Sequence, residues 1–86
     1  MKHEFHRRFL KELAKLSLKH EERFYERLAL FLNAPDHPLL HRHPLHGKYA
    51  GYWSIDVTGD LRAVYRIQGY ACVFTHIGTH HQLFGS

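Results

Sequence analysis

Cysteine is nearly missing from this 86-residue chain, which has one, Cys72. A single thiol cannot close an internal disulfide, and this one lies inside an apolar run. It is expected as a small buried hydrophobe in a reducing cytoplasm. Long apolar runs are missing too, and a helix that spans a bilayer needs about 20 predominantly apolar residues in succession. The opening residues, Met1-Lys2-His3-Glu4-Phe5, hold no apolar stretch, so no secretory leader is expected. No internal repeat and no low-complexity linker divides the chain. At this length one domain is expected, covering 1–86 and built on one modest core. With 44% hydrophobic and 23% charged residues, the composition is that of a folded domain rather than a disordered segment. Acid is the scarcer charge. Eight Asp and Glu stand against twelve Lys and Arg, giving +4 before any of the ten histidines is protonated. Such a surface suits a polyanion such as RNA.

Residues 3–6 read as a short first strand. From Arg7 to Leu16, the residues Phe9, Leu10, Leu13 and Leu16 recur at helical spacing and require a partner surface. Ser17-Leu18 interrupts that pattern. A second helix is expected from about Lys19 to Asn33, with Phe24, Leu28, Phe31 and Leu32 on one face, so the pair forms a helical hairpin. Lys11, Lys15, Lys19, Arg23 and Arg27 read as its solvated side rather than an RNA track. Asn33-Ala34-Pro35 ends the second helix, because the residue before a proline is pushed out of helical geometry. Residues 34–48 then read as a loop holding all three prolines, Gly47 and four histidines. A structureless connection of that length in a compact domain is usually functional or disordered.

Beyond the loop the period changes to two. Trp53, Ile55 and Val57 alternate with Tyr52, Ser54 and Asp56. Leu61, Ala63, Tyr65 and Ile67 alternate with Arg62, Val64 and Arg66. Ala71, Val73, Thr75 and Ile77 alternate with Cys72, Phe74 and His76. Thr58-Gly59-Asp60 and Gln68-Gly69-Tyr70 separate the runs, so a three-stranded antiparallel meander is expected. Two-residue turns that oppose Ile55 to Arg62 and Tyr65 to Cys72 mix the two faces. Three-residue loops oppose Trp53 to Tyr65 and Tyr65 to Val73, which keeps the faces apart. That register also sets Asp56, Arg62 and His76 in a row on the face away from the helices. Within such a row Arg62 keeps Asp56 ionised and makes His76 harder to protonate until a phosphate arrives.

Three motifs follow one another along the chain: His43-Pro44-Leu45-His46-Gly47, an Asp-bearing hairpin through Asp56 and Asp60, and Gly78-Thr79-His80-His81-Gln82-Leu83-Phe84. Together with the helical hairpin before them, they make nearly the whole chain resemble the YafQ-like branch of RelE-superfamily toxins. The resemblance implies an α+β fold of order β-α-α-β-β-β, with two helices on one face of a curved, mainly antiparallel sheet. It implies cleavage of messenger RNA, commonly on the ribosome, and a cognate antitoxin that silences the toxin. Operator DNA would be met only through the antitoxin complex. His43, Asp60, His80 and Phe84 match active-site positions of the family. His76 stands where this branch often has arginine, Asp56 where it can have histidine, and Leu61 replaces an aromatic residue of some members.

Metal-free RNA cleavage needs a base for the ribose 2′-hydroxyl, an acid for the leaving 5′-oxygen, and cations for the crowded phosphate. Histidine suits either proton transfer. His80 is the candidate acid, His43 the candidate base, Arg62 the candidate phosphate clamp and His76 a second positive charge. Asp60 either orients a histidine or shapes its turn, and Phe84 is placed to stack on a base. Asp56, Arg66, Lys48 and His46 complete the expected substrate contacts. His37, His41, His43 and His46 invite a zinc reading, yet their spacing matches no common structural site and no cysteine supports it. No cofactor is expected. Two other functions stay open: a ParE-like toxin that acts without catalysis on another target, and an inactivated relative kept as a binding module.

Overall fold

The computed structural model describes residues 2–85. Strand β1 (Lys2–Phe5) enters helix α1 (Arg7–Ala14) through His6, whose Nδ1 accepts the Arg8 N–H at 3.0 Å. The Ser17 hydroxyl caps α2 (Leu18–Asn33) in the same way, accepting from the His20 N–H at 3.2 Å. The interruption at Ser17-Leu18 is therefore the start of the second helix. Helix α2 ends ahead of Pro35, as the proline requires.

The next stretch is more ordered than a bare loop. It holds a 3-10 turn at Pro38–Leu40, a two-residue strand β2 (His43–Pro44) and a second 3-10 turn at Gly47–Tyr49. Leu40 is 0% exposed and belongs to the core. Arg42 donates to Asp36 at 2.6 Å, and its guanidinium lies 4.9 Å from the centre of the Trp53 ring. One apolar anchor and one cationic clip thus hold a segment that local periodicity leaves undefined.

Strands β3 (Tyr52–Asp56), β4 (Leu61–Gln68) and β5 (Ala71–Thr79) follow, then the short helix α3 (His80–Phe84). The sheet runs β1-β5-β4-β3-β2, with β1 parallel to β5 and every other pair antiparallel. This is the expected α+β order with β2 and α3 added. Phe9 and Leu13 of α1 and Phe24, Leu28 and Phe31 of α2 pack on Ile55, Tyr65, Cys72 and Phe74 of the sheet. Phe74 is the hub, its ring 5.4–6.0 Å from those of Phe5, Phe9, Phe24, Phe31 and Tyr65. Leu10 and Leu32 lie exposed, so each helix buries a narrower stripe than its periodicity suggests.

The first hairpin has the expected three-residue loop, with Trp53 opposite Tyr65 and Asp56 opposite Arg62. The second does not. Gln68 pairs with Ala71 across a two-residue turn, Gly69-Tyr70, in which Gly69 takes φ +61°. Tyr65 then opposes Phe74 while Val64 opposes His76, so Thr75 is a residue in excess, a β-bulge. Cys72 and Phe74 face the helices instead of Val73 and Thr75, and Arg62 lies opposite Gly78 instead of His76. The expected row is broken: Asp56 and Arg62 remain neighbours, and His76 stands apart. The physical reason is that Ala71 to Thr75 are buried without a break, so their alternation carries no phase.

If Leu40 anchors the 34–48 segment, Leu40→Ala should lower unfolding free energy by about 2–5 kcal/mol in denaturant titrations. A loss no greater than that of the exposed Leu39→Ala would show the segment to be held otherwise.

Candidate active site

Ser54 and Arg62 point away from the helices, and above them lies an open cleft of about 390 Å³. His41, His43, Leu45, His46, His80 and Phe84 complete its walls. The cleft therefore joins His43, from the middle of the chain, to His80 and Phe84, from near its described end.

Main-chain geometry positions His43. Strand β2 pairs His43 with Ser54 and Pro44 with Trp53. Just upstream, His41 takes the left-handed conformation, with φ +43°. The His41 carbonyl lies 2.8 Å from Nδ1 of His43. A carbonyl oxygen only accepts, so the neutral ring carries its proton on Nδ1 and keeps its lone pair on Nε2. That is the tautomer of a ring able to take a proton from a ligand.

The position of His80 explains the motif around it. Thr79 caps α3, its hydroxyl accepting from the Gln82 N–H at 3.1 Å, while Gln82 Oε1 accepts from the Thr79 N–H at 2.8 Å. Gly78 leaves room for this, since a Cβ there would lie 3.0 Å from Gln82 Oε1. The His80 N–H donates to the Asp60 carbonyl at 3.1 Å, which ties α3 to the β3–β4 turn. The ring of His80 is 5.0 Å from that of Phe84. Asp60 thus holds His80 through its backbone, with its own side chain exposed.

Arg62 is tied into the same turn. Nη1 donates to the Thr58 carbonyl at 3.0 Å and the Leu61 carbonyl at 3.3 Å, and Nη2 donates to the Gly59 carbonyl at 3.1 Å. Nε is 3.0 Å from Asp56 Oδ1, with its N–H turned off the line of a hydrogen bond, so the contact is an ion pair. Asp56 Oδ2 is also 3.8 Å from Nδ1 of His41. Little of the guanidinium's donor capacity remains, and Arg62 acts on the cleft through charge. Ser54 Oγ is buried in the cleft floor with no hydrogen-bond partner among the described residues.

His76 and Arg66 occupy a second cleft, of about 210 Å³, with His6, Arg8, Tyr52 and Thr75. Nε2 of His76 is 3.0 Å from Nη1 of Arg8, which only donates, so Nε2 accepts. Nδ1 therefore carries the proton and donates to Thr75 Oγ1 at 2.9 Å. Burial, ahead of any charge, pushes the His76 pKa below its ordinary value. Arg8, His6 and Lys48 lower it further, while Glu12 opposes them. Its expected difficulty in taking a proton is present, with Arg8 in the place expected for Arg62. Lys48 is exposed, its Nζ 5.4 Å from the centre of the Tyr49 ring. Among the described residues no three His, Cys, Asp or Glu side chains converge to hold a metal, and His37, His41, His43 and His46 form no such group.

Sequence reading missed Ser54 as cleft floor, although it alternates in phase with Asp56. It also missed Tyr49 and Arg8, which carry no local signature.

A family model for the YafQ toxin of bacterial type II toxin–antitoxin systems matches residues 1–85. The chain belongs to the YafQ toxin family. Its fold is similar to that of YafQ from E. coli, with a TM-score of 0.83, 24% identity, and 98% of each chain covered. YafQ in the E. coli DinJ–YafQ toxin–antitoxin complex gives a TM-score of 0.80 and 25% identity, covering 98% of this chain and 97% of that one. The YoeB/ParE toxin from Agrobacterium tumefaciens gives 0.76 and 24%, covering 93% and 99%. Comparison with curated protein sequences finds no match. No helix of this YafQ-family chain is long and apolar enough to cross a membrane among its described residues.

Two outcomes follow from the site. Gly78→Ala pushes Gln82 off the Thr79 cap, so α3 should lose about 1 kcal/mol of local stability. Hydrogen exchange at the Thr79 and Gln82 amides should quicken, and unchanged exchange would refute this packing. His76 should titrate below the ordinary 6.5 by NMR. The unfolded ring then binds its proton at higher pH than the folded one. The stability involved is therefore complete above about pH 6.5 and is lost as pH falls through the folded value. His76→Gln should remove that acid-side decline.

Proposed function

We propose that this YafQ-family toxin is a cytoplasmic endoribonuclease that cleaves mRNA on the ribosome by general acid–base catalysis. One observation carries the reading: His43, with its lone pair on Nε2, faces the same cleft as His80 and Phe84. In the proposed reaction Nε2 of His43 takes the proton of a ribose 2′-hydroxyl. The freed oxygen bonds to the adjacent phosphorus, and the bond from phosphorus to the 5′-oxygen breaks. His80, protonated, gives its proton to that leaving oxygen. The products are a 2′,3′-cyclic phosphate and a 5′-hydroxyl, and atoms and charges balance. Arg62 offsets the negative charge that builds on the phosphate, and Asp56 holds Arg62 in place. Phe84 stacks on a base beside the cut, with His46 along the cleft wall. Asp60 positions His80 through its carbonyl.

E. coli YafQ is solved in complex with DinJ. By extension, this chain pairs with a cognate antitoxin whose acidic segment complements a +4 surface and covers the cleft. Contact with operator DNA comes only through that complex.

Expression without antitoxin should arrest growth and leave new mRNA fragments with 5′-hydroxyl ends. His80→Ala should be tolerated, with a rate lower by about 10²–10⁴. Equal toxicity of both forms, with no new ends, would assign the toxin a non-enzymatic target instead. Toxin stripped with EDTA and returned to intact, Mg²⁺-bearing ribosomes should cleave their mRNA at an unchanged rate; loss restored by one other added divalent ion would require a metal in the scheme.

A further inference from the structure

The second cleft opens on the same sheet face as the first, and Tyr49 bridges a residue of each. Its ring is 5.6 Å from Phe84 of the first cleft and 5.5 Å from His76 of the second. With the 5.0 Å step from His80 to Phe84, four rings form a continuous path between the clefts.

Charge along that path is one-sided. Among the described residues no carboxylate lines the second cleft, and the nearby Glu12 spends Oε1 on the Ile77 N–H at 3.1 Å. Arg23, Arg42 and Arg62 each pair with an acid. Among the described residues, Arg8 and Arg66 have no acidic partner within salt-bridge distance, as is true of Arg7 and Arg27, which line neither cleft. Arg66 gives Nε and Nη2 to Gln68 Oε1, at 3.4 and 3.2 Å, and Arg8 gives one N–H to His76. The Arg8 contact is the end of a chain of donors. His76 Nδ1 donates to Thr75 Oγ1, which donates to the Val64 carbonyl at 3.4 Å. The bulged residue thus fixes the ring that aims Arg8. Two uncompensated guanidiniums beside an aromatic path match a polyanion with stacked bases.

We propose that the second cleft is an RNA-backbone subsite. Arg8 and Arg66 hold a phosphate of the strand a few nucleotides from the one cut, and Tyr49, with Phe84, stacks the bases between. The proposal rests on the ribonuclease reading of the first cleft. His76 serves it as a neutral acceptor that orients Arg8.

Binding of 2′-O-methyl oligonucleotides tests it apart from cleavage, because they lack the attacking hydroxyl. A dinucleotide fills only the first cleft, while an octanucleotide crosses both. Arg8→Gln and Arg66→Gln should each weaken the octanucleotide and reduce the slope of log affinity on log salt by about 0.7, with the dinucleotide unchanged. Tyr49→Ala should weaken the octanucleotide about tenfold. Arg66→Gln leaves the His76 relay intact, so it separates loss of a phosphate contact from disturbance of the fold. Unchanged octanucleotide binding in both arginine variants, or equal weakening for both lengths, would overturn the subsite. Loss of polyglutamate binding with octanucleotide binding retained would assign the cleft to an acidic protein segment and overturn it as well. Failure of the nuclease reading shows elsewhere, as cleavage retained in His80→Ala.

Discussion

Phe74 reaches the helices only because Thr75 takes up one residue more than β4 can oppose. Without that excess, a strand with Ile77 toward the core would turn Phe74 outward and lose the ring cluster joining β1, both long helices and the sheet. Burying the aromatic hub and Ile77 together requires a change of phase between them. The change is made at a threonine, whose hydroxyl bonds the Val64 carbonyl across the irregularity. The same step turns His76 to the open face and lets β5 run on to Gly78 and Thr79, where α3 begins. Core and cleft are therefore two sides of one irregularity.

The clefts use arginine in opposite ways. Arg62 is surrounded by the carbonyls of its own turn and by Asp56, so it shapes the β3–β4 loop that receives His80. Its field reaches the first cleft, but its geometry belongs to the fold. Arg8 and Arg66 keep most of their donors free, and both line the second cleft without an acidic partner among the described residues. The histidines divide similarly. His43 keeps an open lone pair because its other nitrogen is bound, whereas His76 is bound on both.

Much of this architecture is legible in the residues. Helical spacing of Phe9 and Leu13, and of Phe24, Leu28 and Phe31, marks the helices and their buried faces. The alternation from Tyr52 to Ile67 gives the first hairpin and its register. His43 and His80 are found through the motifs around them, and Gly78, Thr79 and Gln82 show why one motif has its spelling. Strand β5 is different. Its first five residues are small or apolar and buried on both sides, so counting by twos cannot locate the bulge. Strand β2 is two residues long, below the reach of any periodic pattern, and its place depends on Leu40 and Arg42. Arg8 looks like one more cation on a solvated helix, since its meaning arises only when α1 meets β5.

Strand order also governs when such a molecule can exist during synthesis. β5 is the last strand to be made, yet it lies inside the sheet, between β1 and β4. Until residues 71–85 have emerged, β1 has no neighbour to bond, and the phenylalanines of both long helices lack Phe74. The nascent chain can assemble hairpins and helices locally, but its longest-range pairing closes last, at the greatest loop entropy. His80 follows directly after that strand. A partial chain therefore holds neither a closed core nor His43 and His80 in one cleft, and the cleft comes into being in one late cooperative step.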